Sequence, residues 1–192
     1  MRGRIPVRPT SIIQTIHEIQ DEAISKQHFE EDEPLKGVNV VIGSTDVHEF
    51  GKEVIKNVLK TAGATVFDLG TTVAASEIAD TLIETGSEIA AISTYNGMAY
   101  SFGKALTENL EKAGLGDVKI IMGGRLNEPM DGGDLPEDVT DRLRAMGINT
   151  DNDVDSIVGT IAAMAGRSCE TTEQGGENGK TWRLGSHSHH GA

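Results

Sequence analysis

The strongest constraint on this chain is a repeating order of short apolar runs, amphipathic stretches and glycines. Val38 to Ile42 is an apolar run of strand length. Glu49 to Ala62 follows with Val54, Val58 and Leu59 on one helical face, and Gly63 stops it. Thr65 to Leu69 reads as a second strand. Ser76 to Thr85 reads as a helix, with Ser76 as N-cap and Gly86 as terminator. Ile89 to Ser93 is a third strand, and Ala105 to Ala113 lies in a helix ended by Gly114. Val118 to Met122 is a fourth strand, and Leu135 to Met146 is a helix closed by Gly147. A weak fifth strand sits near Ile148, and Asp153 to Ala165 is a last helix. Near-continuous apolar strands alternating with helices predict an α/β fold with helices on both faces of the sheet. The expected architecture is a doubly wound, parallel five-stranded sheet, flavodoxin-like or Rossmann-like. Such sheets bind ligands beyond the carboxyl ends of their strands, so the loops there are where chemistry is expected.

Residues 1–36 form an N-terminal extension. Ser11 and Gln14 have capping-box spacing, and Ile12, Ile16, Ile19 and Ala23 predict one amphipathic helix. Residues 37–165 form the folded domain. Residues 166–192 lack periodicity and read as a disordered polar tail, with His187, His189 and His190 in a flexible segment. The formal charge of −13, from 17 Lys+Arg against 30 Asp+Glu, repels a phosphate backbone, so no nucleic-acid partner is expected. Arg2, Arg4 and Arg8 read as a basic start rather than a transit peptide. The single cysteine, Cys169, excludes an intramolecular disulfide and a multi-Cys zinc site and fits a reducing compartment. No apolar run approaches the ~20 residues that span a bilayer. A cytoplasmic protein without a membrane partner is expected.

The loop after the first strand holds D-x-H-x-x-G as Asp46, His48 and Gly51. A carboxylate beside a histidine fixes the imidazole through one nitrogen and leaves the other free as a metal ligand or base. Taken alone, His48 could equally cap the next helix. The loop after the third strand begins Ser93-Thr94-Tyr95, whose hydroxyls either bind a ligand or satisfy the turn. The loop after the fourth strand starts Gly123-Gly124, which leaves room for a bulky group or makes an ordinary turn.

In combination these motifs are more specific. Gly51 is followed by 41 residues before Ser93, and Tyr95 by 27 before Gly123. The order and spacing resemble the cobalamin-binding domain shared by cobalamin-dependent mutases and corrinoid methyltransferases, with its D-x-H-x-x-G, S-x-L and G-G motifs. The resemblance covers roughly Gly37 to Ala165. One departure stands out, because Tyr95 occupies the place of the S-x-L leucine.

The resemblance implies that His48 is the lower axial ligand of cobalt, displacing the cofactor's own dimethylbenzimidazole, and that Asp46 holds its imidazole. It implies that Gly51, Ser93, Tyr95, Gly123 and Gly124 line the cleft for the displaced nucleotide tail. The implied cofactor is adenosylcobalamin. The implied role is the small subunit of a mutase, with radical chemistry at the interface with a larger TIM-barrel-type catalytic subunit in a hetero-oligomer. No catalytic residue is expected in this chain itself. The small subunit of glutamate mutase is similar around Val41 to Ser44 and from Ala113 to Gly124, although Thr45 lies between Ser44 and Asp46. Methylmalonyl-CoA-type mutases share the same motifs. The alternatives are a methyl-carrying corrinoid protein and a non-catalytic cobalamin carrier or sensor. The helical cap usual in methyltransferase proteins does not fit the 36 residues before Gly37.

Overall fold

The computed structural model describes residues 27–29, 33–129, 135–167, 169–173 and 180–184. The helix expected around Ile12 to Ala23 lies outside them. Strand β1 is Gln27–Phe29 and β2 is Asn39–Ser44. Helix α1 spans Phe50–Thr61, β3 Thr65–Asp68, α2 Ala75–Thr85 and β4 Ile89–Thr94. Helix α3 spans Ala99–Lys112 and β5 Lys119–Gly124. Strands β6, Asn127–Pro129, and β7, Pro136–Asp138, precede α4, Thr140–Ala145. Strand β8, Asn149–Thr150, helix α5, Ile157–Met164, and strands β9, Cys169–Glu173, and β10, Lys180–Leu184, complete the order.

The central sheet runs β3-β2-β4-β5-β8 with every pairing parallel, so the expected five-stranded α/β sheet is present. Period-two alternation divides its residues between two cores. Val40, Ile42, Ala91 and Ile121 pack with Val58, Leu59, Val158 and Ile161 of α1 and α5. Val41, Ala90, Ile92 and Met122 pack on the other face with Ile78, Leu82, Leu106 and Leu143 of α2, α3 and α4. The chain leaves β2 toward β3 on one side and returns to β4 on the other. The sheet therefore has its switch point between β2 and β4, where loops diverge and leave a crevice. Register puts Ser44 opposite Ser93 and Ser93 opposite Gly123, so all three loop motifs start from one row.

Several expectations are corrected in detail. The Leu135 to Met146 helix is shorter, because β7 occupies Pro136–Asp138 and an Asp138 oxygen accepts the Thr140 N–H at 2.8 Å to start α4. Ser76 is not an N-cap: α2 begins at Ala75, with a Glu77 carboxylate oxygen accepting the Ala74 N–H at 3.4 Å. The third helix begins six residues earlier than its core pattern, at Ala99. The tail expected to be disordered carries β9 and β10, an antiparallel pair to which β1 adds in parallel. Their segments C-E-T-T-E and K-T-W-R-L contain Thr and Trp, which suit strands and escape a search based on apolar periodicity. Among the described residues, no helix is long and apolar enough to cross a membrane.

Charge ties α1 to the end of β3. Lys52, only 1% exposed, donates to both Asp68 oxygens at 2.7 and 2.9 Å and to Glu53 at 2.8 Å. Lys56 donates to Asp68 at 2.8 Å and to Glu53 at 2.6 Å. Burial alone would raise the Asp68 pKa, but the bonds from Lys52, Lys56 and the Gly70 N–H outweigh it and hold it at about 2. A depressed carboxylate pKa gives stability that is complete above the unfolded value and lost as pH falls through the folded one. Acid melts should therefore show a loss on the order of 2 kcal/mol from Asp68 between about pH 4 and about pH 2. In Asp68→Asn that part of the slope should vanish. Identical pH dependence of denaturant midpoints in both proteins would contradict the assignment.

Candidate functional site

The loops leaving β2 and β4 are joined by one carboxylate. Asp46, 8% exposed, accepts the His48 backbone N–H at 2.8 Å on Oδ1. The same oxygen lies 2.7 Å from His48 Nδ1. Its Oδ2 accepts the Tyr95 backbone N–H at 2.6 Å, across the switch point. Burial pushes the Asp46 carboxyl up, but the backbone N–H groups of His48 and Tyr95 and the His48 ring together hold it below its ordinary value. An ionised Asp46 favours the tautomer with the proton on Nδ1, which leaves Nε2 with a free lone pair. The His48 side chain is 62% exposed, so that nitrogen is open to a ligand. The capping alternative fails, because α1 has Glu49 at its N-cap position and no side-chain cap bond.

A hydroxyl pair braces this node. Thr45 Oγ1 and Thr94 Oγ1 are 2.8 Å apart, and Thr45 Oγ1 also reaches Asp46 Oδ2 at 3.4 Å. Thr72, at φ +58, donates its N–H to the Asp46 carbonyl at 3.3 Å, so the loop after β3 supports the same residue from below. The Tyr95 ring lies 5.2 Å from the His48 ring at 51°, with the Arg125 guanidinium 5.9 Å from its centroid. Val47, Tyr95 and Met98 on these two loops, and Phe50 at the start of α1, are exposed large hydrophobic side chains.

Beside the node a cavity of about 410 Å³ runs between α1 and the sheet toward the start of α5. Its walls include Ile42, Phe50, Gly51, Ile92, Ser93, Gly123, Gly124 and Val154, so it is mainly apolar. The structure thus brings Gly51, Ser93, Gly123 and Gly124 to one cleft, whereas Asp46, His48 and Tyr95 lie outside its lining on the loops that adjoin it in sequence. The glycines differ in cause. A Cβ at Gly123 would sit 2.5 Å from the Asp151 carbonyl, and one at Gly124, where φ is +97, would sit 2.3 Å from the Thr94 carbonyl. Backbone packing alone requires both. A Cβ at Gly51 would meet only Ser93 Oγ, at 3.5 Å, so this glycine keeps the cleft open rather than the fold intact. Ser93 Oγ makes no hydrogen bond to any described residue and remains available to a ligand. Thr94, by contrast, satisfies the turn, with Asn96 Oδ1 accepting from its hydroxyl at 3.4 Å.

Sequence reading missed Thr45 as a brace, Asn152, whose side-chain oxygen accepts the Gly124 N–H at 2.6 Å, and Lys52. Lys52 did carry a signal, since a lysine seven residues before Leu59 falls on the buried stripe of the helix.

The sequence pattern of the B12 binding domain matches residues 36–134. The glutamate mutase sigma subunit of Carboxydothermus hydrogenoformans is 33% identical over 94 residues, 48% of this chain and 69% of that protein. That of Clostridium tetanomorphum is 29% identical over 109 residues, 57% of this chain and 77% of that protein. A cobalamin-binding protein from Desulfitobacterium hafniense superposes with a TM-score of 0.55 at 24% identity, over 67% of this chain and 59% of that one, and shows the fold. By its motifs in order, the match over 36–134 of its 192 residues and its coverage of these relatives, the chain belongs to the B12-binding domain family.

Proposed function

We propose that this chain is the cobalamin-binding subunit of an adenosylcobalamin-dependent carbon-skeleton mutase, holding its cofactor for a separate catalytic subunit. The carrying observation is the Asp46–His48 pair, which leaves Nε2 exposed on the loop that leads into Phe50 and Gly51 of the apolar cleft. Among the described residues no group of three or more His, Cys, Asp or Glu converges on a metal site. A lone exposed nitrogen is a poor home for a bare ion, which needs several protein ligands. It suits a metal whose other positions are filled by a macrocycle that the metal brings with it. The residues present therefore fit a cobalt corrinoid. His48 would supply the lower nitrogen, and Asp46 would fix the tautomer and raise the basicity of the ring. The apolar side chains Val47, Phe50, Tyr95 and Met98 would face a flat, largely apolar group. The cleft would take the displaced nucleotide tail, with Ser93 offering a hydroxyl and Gly51 leaving passage. When bound, adenosylcobalamin supplies radical chemistry, and the protein contributes orientation and tuning of the lower ligand.

The mutase reading, with a separate partner subunit, draws support from the relatives named glutamate mutase sigma subunit, covered over 69% and 77% of their lengths, and the adenosyl form and a larger barrel-type partner follow from that reading. A methyl-carrying corrinoid protein shares the fold, but at 15% identity that likeness shows the fold alone.

Two experiments test this reading. In the first, protein labelled with nitrogen-15 is loaded with unlabelled cob(II)alamin, and its paramagnetic resonance spectrum is recorded. Nitrogen-15 splitting should appear in the wild type and vanish in His48→Ala; splitting from the cofactor's own nitrogen-14 in the wild type would refute His48 as ligand. In the second, Gly51→Leu should keep a melting temperature near that of the wild type but bind hydroxocobalamin at least about tenfold more weakly, or about 1.4 kcal/mol. Unchanged affinity by equilibrium dialysis would take the nucleotide tail out of this cleft.

A further inference from the structure

The cleft raises a mechanical question about α1. The aliphatic core on that face takes in Ile55, Val58 and Leu59, from the middle of the helix onward. Under the first turn lies the 410 Å³ cavity instead of packed side chains, and Phe50 and Gly51 line it. The N-cap position contributes no side-chain bond. Ser44 Oγ donates to the His48 carbonyl at 3.3 Å just before this turn, but the turn itself has neither an aliphatic core contact nor a side-chain cap.

Lys52 fills that role by its position. It lines both the apolar cleft and the polar recess formed by Glu49, Glu53, Lys56, Asp68 and Gly70. Its Nζ is bonded to Asp68 and Glu53 and stands 3.7 Å from Glu49, so the ammonium lies toward the recess. Its methylene stem is left to form part of the cleft wall. A cation in the first turn opposes the helix dipole, so helix stability by itself does not account for a lysine here. Asp68 in turn ends β3 and accepts the Gly70 N–H at 2.9 Å, which gives the strap a rigid anchor on the sheet.

We propose that Lys52 is a positioning residue for the corrinoid: bonded to Asp68, it holds the first turn of α1 open over the cleft and so sets the His48 loop in its binding geometry before a ligand arrives. The proposal rests on the cobalamin reading for its ligand but not for its mechanics. Breaking the strap lets the turn sag into the apolar space or fray, and binding then has to reorder it, which weakens affinity without touching any ligand-contacting atom beyond the lysine stem.

The test uses the full chain as wild type, Lys52→Met, Lys52→Arg and Leu110→Ala. Leu110 is buried on the opposite face and serves as a control for general destabilisation. Amide hydrogen exchange is measured without ligand, and affinity is measured with hydroxocobalamin. Lys52→Met should speed exchange at residues 47–53 by about tenfold or more while residues 89–92 of β4 stay protected. It should also weaken binding by about tenfold, whereas Lys52→Arg and Leu110→Ala should stay within about threefold of wild type. Wild-type exchange at 47–53 in Lys52→Met would overturn the proposal, as would an equal affinity loss in Leu110→Ala. Failure of the wild type to bind hydroxocobalamin would remove the cobalamin reading, and the exchange data would still decide whether Lys52 holds the loop.

Discussion

Two loops that diverge from neighbouring parallel strands leave the sheet's ladder behind, and here the Thr45 N–H to the Ser93 carbonyl and the Thr45–Thr94 hydroxyl pair join them only at their start. The Asp46 carboxylate carries the link outward, with one oxygen on His48 and the other on the Tyr95 N–H. The bond to Tyr95 closes the crevice at its rim, and the bond to His48 sets the ring. Both depend on the register that places Ser44 beside Ser93, since a shift of one residue would turn the Asp46 and Tyr95 segments away from each other. Sheet register, loop closure and imidazole orientation are thus one constraint seen at three scales.

The division of the interior follows from the same sheet. On the face of α2, α3 and α4 the aliphatic core continues to the strand ends, where Leu126 and Val139 seal it. On the face of α1 and α5 it stops short, and the space beyond is the cleft. A sheet with equal packing on both sides would have no binding site. Here α1 is tied at its start by charge instead of by apolar contact, so space is kept without loss of order.

Much of this was legible in the residues. Short apolar runs ended by glycines gave the strand order of a parallel sheet, because strands buried on both faces admit few polar residues. The D-x-H-x-x-G, Ser93 and Gly123-Gly124 segments were found because each follows a strand end. Less local features were hidden. The antiparallel β6–β7 pair contains Asn, two Glu, two Pro and Asp, a composition that mimics a loop. Its place is fixed by Glu128, which accepts hydrogen bonds from both the backbone N–H and the hydroxyl of Ser101. The roles of the glycines also needed coordinates, since sequence cannot tell a glycine facing a carbonyl from one facing an empty cleft. Lys52 was passed over because a lysine in a helix is ordinarily solvated, and its carboxylate partner Asp68 lies sixteen residues away on a strand.

The Tyr95 contact with Asp46 runs through the main chain, and this decides which changes the site can absorb. Any residue except proline presents the same N–H, so the link across the crevice is blind to the side chain at that position. A tyrosine can therefore stand here, in the place of the leucine of the motif that this segment resembles, and leave the carboxylate fully engaged. Position 95 consequently joins an exchangeable side chain to a backbone bond that does not depend on it: the ring beside the imidazole can be changed while the Asp46 carboxylate keeps both of its partners.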